Sequence, residues 1–139
     1  MTQQVSHQEL EEGLTLKLDF SKINQVATCS EAVVSVVIQD ARSKDVLILG
    51  YANKRALAHT LATKLATLWS TSRQELWIKG ASSGDYLDVV EVRINCDQNS
   101  LLYLVTPRRS GACHTKTSDG QTRSTCFYRK LDGDTLAFL

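Results

Sequence analysis

Short stretches in which apolar and polar residues alternate recur along the chain, and such alternation is typical of β-strands. They are rich in β-branched residues and are separated by polar turns. Two of them flank the tetrapeptide CDQN, which suits the turn of a hairpin. We predict strands at 14–20, 32–40, 45–52, 86–95, 100–106 and 126–131, and note two short aromatic segments at 66–70 and 75–80.

One helix is predicted from Asn53 to Leu68. Asn53 suits an N-cap, and leucines at 57, 61, 65 and 68 recur at the helical period, which predicts a single apolar stripe. Many strands with one principal helix, and no regular strand–helix alternation, favour an α+β fold with mainly antiparallel sheet. A polar loop at 107–125 remains, and structureless loops of this length are usually functional or disordered.

The composition narrows the class of protein. The length of 139 residues suits a single domain covering the whole chain. Residues 1–13 are polar and acidic, so we predict a flexible arm rather than a signal peptide. The net charge of +1 and the shortness of the apolar runs argue against nucleic-acid and membrane partners. We therefore expect a cytoplasmic protein.

Four cysteines are present, at positions 29, 96, 113 and 126. In a cytoplasmic protein they would stay reduced, which favours metal binding or catalysis over disulfides. No CxxC motif occurs, and the intervals between the last three fit no compact zinc finger. Spacing alone therefore leaves two interpretations open: an open zinc site built from three thiolates, or buried thiols that act as small apolar residues. Cys29, beside the run AVVSVV, is predicted to be a core or near-core thiol.

Among the histidines, only His114 is placed for chemistry, because it follows Cys113 directly and precedes Thr115. An imidazole beside a bound metal ion could move protons near neutral pH. The alternative is a solvated loop histidine.

At these residues the sequence resembles a known family. GACHT at 111–115 and STCFYRKL at 124–131 resemble the C-terminal signature of the phosphoribosyl-AMP cyclohydrolases, enzymes of histidine biosynthesis. The resemblance extends upstream through VVIQDARSKDVLILGYANKRALAHTL and through the segment from LWSTSR to LLYLV, from about residue 16 to residue 131. Several motifs in the same order make it more specific than any single motif.

The resemblance implies an intertwined α+β homodimer with active sites shared between subunits. It implies hydrolysis of the N1–C6 bond of phosphoribosyl-AMP, which opens the adenine ring, with Zn²⁺ and Mg²⁺ as cofactors. In that arrangement the hairpin cysteine comes from one subunit and the later two come from the other. The residues that it assigns are Cys96, Cys113 and Cys126 for zinc, and Asn95, Asp97 and Asn99 for magnesium. The two phosphates of the substrate need cations and hydrogen-bond donors, for which Arg73 and Lys79, both in matching motifs, and Ser82 and Ser83 are candidates. The reaction also needs a base, for which His114 is the candidate.

The sequence departs from the family pattern at the hairpin. Where the family usually has Asp-Cys-Asp-x-Asp, this chain has NCDQN, so two carboxylates are replaced by the amides of Asn95 and Asn99. Uncharged amide oxygens bind Mg²⁺ more weakly than carboxylates. The loop between Cys113 and Cys126 is also longer, and it contains Asp119, which either substitutes for a lost carboxylate or simply belongs to the turn sequence SDGQ.

Three other functions share part of this pattern. A nucleobase deaminase is disfavoured because its HxE and PCxxC elements are absent. A related protein with an altered substrate remains open, as does a non-catalytic dimeric binding protein stabilised by zinc.

Overall fold

The computed structural model describes residues 6–109 and 111–139. Within these ranges the chain forms three helices: α1 (His7–Glu12), α2 (Lys22–Ala27) and α3 (Lys54–Thr63). The strands are β1 (Val34–Asp40), β2 (Val46–Ala52), β3 (Thr67–Ser70), β4 (Glu75–Ile78), β5 (Leu87–Ile94), β6 (Ser100–Pro107), β7 (Arg129–Asp132) and β8 (Thr135–Phe138). None of the described helices is long and apolar enough to cross a bilayer.

Four strands form the central sheet in the order β2-β1-β6-β5. The pairs β1–β2 and β5–β6 are antiparallel, whereas β1 and β6 run parallel. Two separate hairpins, β3–β4 and β7–β8, are antiparallel. This confirms the predicted α+β class with mainly antiparallel sheet. The hairpin predicted around CDQN is confirmed as the β5–β6 connection.

One face of the central sheet forms the core. In register across the sheet, Ile38 of β1 lies between Ile48 of β2 and Tyr103 of β6, and all three are buried. Ala56 of α3 and Leu68 of β3 belong to the same buried cluster. The core thus joins α3 and the β3–β4 hairpin to the sheet, and it fixes where β4 ends.

The N-terminal part of the chain differs from the prediction. Residues 14–20 were predicted to be a strand, and this is wrong: their only bridge within the described chain joins Thr15 to Thr135. The apolar residues of this segment face no core, since Leu18 is 64% and Phe20 89% exposed. Of the predicted flexible arm, residues 1–5 lie outside the described residues and residues 7–12 form α1.

The principal helix is shorter than predicted. Asn53 caps it as expected, with its Oδ1 atom accepting a hydrogen bond from the Ala56 N–H at 2.8 Å. It ends at Lys64, which adopts a left-handed conformation with φ of 62°. The predicted leucine stripe is wrong, because the buried residues of α3 are Ala56 and Thr60 while Leu61 is 49% exposed. Small side chains let the helix approach the sheet closely. A prediction based on the spacing of leucines overlooks such residues.

Thr60 joins α3 to β3, and its replacement by valine should destabilise the fold. Its buried Oγ1 accepts a hydrogen bond from the Thr67 N–H at 3.0 Å and lies 3.0 Å from the Ala56 carbonyl oxygen. Thr60→Val keeps the shape and leaves the Thr67 N–H unpaired, which costs about 1–3 kcal/mol. Urea unfolding measures the change in free energy.

The matched control is Thr63→Val, the same substitution on the same helix at an exposed position. The Thr63 hydroxyl donates to the His59 carbonyl and accepts from the Leu65 N–H. Water can replace both hydrogen bonds at this exposed position, so the expected cost is below about 0.5 kcal/mol. Equal costs for the two variants would contradict the role of Thr60.

Candidate active site

A pocket of about 320 Å³ lies where the turn after β4 meets the long loop before β7. It brings together five of the residues singled out from the sequence, namely Lys79, Ser82, Ser83, Cys113 and His114. Trp77, Gly80, Asp85, Lys116 and Thr122 complete its lining. The loop that was expected to be functional therefore forms one wall of a pocket.

Backbone hydrogen bonds fix the turn that carries Lys79. The Lys79 N–H donates to the Ala66 carbonyl at 3.0 Å, and the Gly84 N–H donates to the Gly80 carbonyl at 2.7 Å. Gly80 has a φ of 92°, and a Cβ atom there would overlap the backbone of Asp85. Glycine is therefore required at position 80, and the turn follows one defined path.

The long loop is held by backbone pairing around Arg123. The Cys113 N–H donates to the Arg123 carbonyl at 2.9 Å, and the Arg123 N–H donates to the Thr115 carbonyl at 3.1 Å. Three residues later, the Cys126 N–H donates to the Leu47 carbonyl of β2 at 2.8 Å. These contacts place two cysteines 13 positions apart in the sequence side by side.

The two thiols share a hydrogen bond that separates their pKa values. The hydrogen bond from Cys126, with smaller contributions from Thr115 and His114, lowers the pKa of Cys113 to about 5 against the opposing effect of burial. The same hydrogen bond and burial raise the pKa of Cys126. Thr115 contributes its hydroxyl, 3.1 Å from the Cys113 Sγ atom. The interaction therefore favours a thiolate at Cys113 and a protonated thiol at Cys126.

Lys79 is a buried cation beside this pair. The residue is only 3% exposed. Burial lowers the pKa of its ammonium, while Asp85 and, to a smaller extent, the two neighbouring thiols counteract that effect. Asp85 is itself held by the Thr122 hydroxyl, which donates to its Oδ2 atom at 3.0 Å. Lysine and thiols therefore form one electrostatic unit.

His114 stands at the open side of the pocket. Its side chain is 65% exposed, and its Nε2 atom lies 3.2 Å from Oε1 of Glu11. The ring is thus accessible to a ligand and is held by one polar contact with α1.

Cys96 does not join the other two predicted zinc ligands within one chain. It is exposed in the β5–β6 hairpin. Across residues 6–109 and 111–139, no three His, Cys, Asp or Glu side chains lie close enough to hold a metal ion. The zinc set Cys96, Cys113 and Cys126 therefore stays a prediction that needs a second copy of the chain.

The amides of the hairpin are engaged in its own hydrogen bonds. The Asn95 Oδ1 atom accepts from the backbone N–H groups of Asn99 and Ser100, both at 2.9 Å. The Asn95 Nδ2 atom donates to Oδ1 of Asn99 at 2.7 Å. Asp97 is the exposed carboxylate of the hairpin. Asp119, in the longer loop, accepts a hydrogen bond from Thr117 within an exposed turn.

Arg73 lies apart from this pocket, whereas two other cations, Lys116 and Arg109, lie at or beside it. Arg73 is exposed in the β3–β4 turn, with its Nε atom 3.6 Å from Glu75. Lys116 lines the pocket. Arg109 donates to the Ser83 carbonyl at 3.1 Å. Its guanidinium also lies 2.9 Å from the place where a Cβ of Gly84 would be. No spacing in the sequence signals a contact across 26 residues.

Comparison with known proteins identifies the family. The sequence model of the phosphoribosyl-AMP cyclohydrolases matches residues 48–128. The phosphoribosyl-AMP cyclohydrolase of Halobacterium salinarum is 48% identical over 106 residues, covering 76% of this chain and 77% of the relative. That of Archaeoglobus fulgidus is 45% identical over 104 residues, covering 75% and 90%. A histidine biosynthesis bifunctional protein of Aquifex aeolicus is 36% identical over 119 residues, covering 86% of this chain and 51% of the relative.

The match includes most of β2, α3, the β5–β6 hairpin, the pocket turn and the long loop with both of its cysteines. These comparisons confirm the resemblance stated from the sequence, and the chain belongs to the phosphoribosyl-AMP cyclohydrolase family.

Proposed function

We propose that this protein is a zinc-dependent cyclohydrolase that opens the adenine ring of phosphoribosyl-AMP in histidine biosynthesis. Two of its relatives are named phosphoribosyl-AMP cyclohydrolase. The observation that carries the proposal is the hydrogen-bonded pair of Cys113 and Cys126 beside the pocket that His114 lines. Reduced thiols of this kind suit a cytoplasmic enzyme, and we place the activity there.

The donor chemistry of the pair fits a zinc ion. Thiolates are the ligands that favour zinc, and the lowered pKa of Cys113 favours its thiolate form. Three thiolates would give a zinc site a net charge of about −1. The buried ammonium of Lys79 would offset that charge. We propose Cys113 and Cys126 from one subunit and Cys96 from the other as the ligands.

A bound zinc ion would act as a Lewis acid and lower the pKa of water at the open position. The residues of the chain supply the rest of the reaction. In the hydrolysis, the oxygen of water bonds to C6 and becomes the oxygen of the new carboxamide, and the C6–N1 bond breaks. One proton of the water ends on N1 and the other on the exocyclic nitrogen bonded to C6. We assign His114 to accept one proton from water and to pass it to N1, because its ring is accessible at the pocket.

The substrate carries two phosphates, and the pocket offers cations for them. We propose that Ser82, Ser83, Lys116 and the neighbouring Arg109 recognise one phosphate. Lys79, assigned to substrate binding from the sequence, also lies close enough to the thiols to balance their charge. Arg73 remains a predicted ligand of the second phosphate, at a position away from this pocket.

The open face of the sheet supports a homodimer. Leu49, Val37 and Leu102 lie in register on the face opposite the core. Leu49 is 53% exposed. A depression of about 580 Å³ on this face reaches Asn95 and Ser100 at the Cys96 hairpin. We propose that a second copy covers this face and that its Cys113–Cys126 pair meets the hairpin there.

Magnesium fits the hairpin poorly. Both acceptor positions of the Asn95 oxygen are used by backbone N–H groups, and Asn99 already accepts from Asn95. Asp97 is left as the single carboxylate. We therefore propose only weak magnesium binding, completed by substrate phosphates, and assign no step of the reaction to this ion.

Two variants should distinguish a residue that binds zinc from the residue that transfers the proton. Cys126→Ser is expected to lose zinc and turnover together. His114→Ala should keep the zinc and lose turnover by about 10²–10⁴-fold, the usual contribution of general acid–base catalysis. Zinc content is measured by elemental analysis, and ring opening of phosphoribosyl-AMP by ultraviolet absorbance.

Cys29→Ser is the matched control, because the half-buried Cys29 thiol donates to the Glu31 carbonyl at 3.1 Å and lies outside the candidate site. It should retain zinc and turnover. Chelation of the wild-type enzyme should abolish turnover, and added zinc should restore it. Turnover that survives complete loss of zinc would contradict the proposal.

A shared site predicts complementation between two inactive variants. Cys96→Ser and Cys113→Ser should each be inactive alone. In a mixed dimer, one of the two sites contains all three cysteines. Its Cys96 comes from the Cys113→Ser subunit, and its Cys113 and Cys126 come from the Cys96→Ser subunit. Statistical exchange of subunits should therefore recover about a quarter of the wild-type activity.

The control for exchange is a mixture of Cys113→Ser and Cys126→Ser. Both variants damage the same half of the site, so no mixed dimer restores it. Failure of the first mixture to recover activity, with subunit exchange verified by mass spectrometry, would refute a site shared between copies.

Restoring the two carboxylates should strengthen the cation site of the hairpin. Asn95→Asp with Asn99→Asp replaces an amide hydrogen bond by two like charges, which repel each other unless a cation lies between them. We expect a lower melting temperature without Mg²⁺, and a Mg²⁺ affinity at least about tenfold higher than that of the wild type.

Isothermal titration with Mg²⁺ and thermal melts measure these two changes. Asp97→Asn is the control and should lower the Mg²⁺ affinity below that of the wild type. Tight magnesium binding by the unchanged protein, in the absence of substrate, would contradict the proposed role of the amides.

A further inference from the structure

The N-terminal helix packs against the candidate active site. Helix α1 precedes the segment that matches the family model, which begins at residue 48. Two consecutive carboxylates of this helix contact the long loop: Glu11 meets His114, and Glu12 meets Arg123. These contacts bridge more than 100 residues of sequence.

The helix is firmly anchored. Glu12 receives two hydrogen bonds from Arg123, at 2.8 and 2.9 Å, and the Arg123 side chain is only 10% exposed. The same guanidinium donates to the Thr115 hydroxyl at 3.1 Å and lies 4.1 Å from the ring centre of Tyr128. Because Thr115 also contacts the Cys113 Sγ atom, this ion pair connects α1 to the thiol pair.

Further contacts hold the backbone of the helix in place. The Tyr128 hydroxyl donates to the Glu11 carbonyl at 2.7 Å. Arg129 donates to the carbonyls of Leu10 and Gly13, at 2.6 and 2.8 Å. The side chain of Glu11 therefore projects from a backbone that is fixed on both sides of it.

The contact between Glu11 and His114 has a chemical consequence. A carboxylate only accepts hydrogen bonds, so its partner, the Nε2 atom, must carry a proton. In the neutral ring the Nδ1 atom is then the free acceptor. The Glu11 carboxylate thus selects one tautomer of His114 and restricts the orientation of an otherwise exposed ring.

We propose that Glu11 is a positioning residue that holds His114 in the tautomer and orientation needed for proton transfer, and that the Glu12–Arg123 pair anchors the helix for this purpose. This inference rests on the proposed function. It assigns a role in the site to a helix that lies outside the matched segment of the family.

The test compares Glu11→Ala and Glu11→Gln with Glu9→Ala in the zinc-loaded, full-length protein. Glu9 lies on the same helix with an exposed side chain. We expect Glu11→Ala to lower kcat by about tenfold with KM changed less than about twofold, since the base itself remains. Glu11→Gln should retain more activity, because its amide oxygen still accepts a hydrogen bond. Glu9→Ala should match the wild type.

Two measurements separate positioning from a structural effect. Nitrogen-15 spectra of the histidine rings should show His114 as the Nε2–H tautomer in the wild type and as a mixture of tautomers in Glu11→Ala. In a His114→Ala background, Glu11→Ala should cause no further loss of turnover. Zinc content and melting temperature should stay unchanged.

An active wild type whose Glu11→Ala variant has the same kcat would overturn the positioning role alone. Loss of zinc or of folding in Glu11→Ala, or a further loss of turnover in the His114→Ala background, would also overturn it. A wild type that holds zinc and does not open the ring would overturn the proposed function together with this inference.

Discussion

The candidate site depends on the docking of the long loop against the edge strand of the central sheet. The Cys126 N–H bonds to the Leu47 carbonyl, and one residue earlier the Thr125 hydroxyl donates to the Val46 carbonyl at 2.7 Å. Because β2 is the outer strand of the sheet, its free carbonyls are available to a loop. The loop has no regular secondary structure, but these hydrogen bonds tie it to a strand. They also fix the position of the Cys126 thiol beside Cys113.

Charge explains why the two thiols and Lys79 occur together. A buried ammonium without a counter-charge is costly, as is a buried thiolate. Placed side by side, the ammonium and the thiolate offset one another. The arrangement is therefore suited to binding a cation, with the lysine limiting excess negative charge.

The sequence predicted the parts of the fold that depend on local pattern. Strands β1, β2, β5 and β6 alternate or are β-branched, and the Asn53 cap is a local interaction. The length of α3 was overestimated, because leucines continue the helical period past Lys64, where a left-handed residue ends the helix. Helices α1 and α2 were not predicted, since neither buries a residue and so neither carries an apolar stripe.

For the site, residue types were predictable and their proximity was not. The approach of Cys113 to Cys126 results from the backbone of Arg123 pairing with residues 113 and 115, which no spacing rule anticipates. The same holds for Cys96, which the fold leaves exposed beside an open apolar face. In a single chain, an exposed thiol at that position does not contribute to the stability of the fold. In the proposed dimer, the hairpin of one copy would meet the thiol pair of the other, so dimerisation and ligation of the metal would be one event.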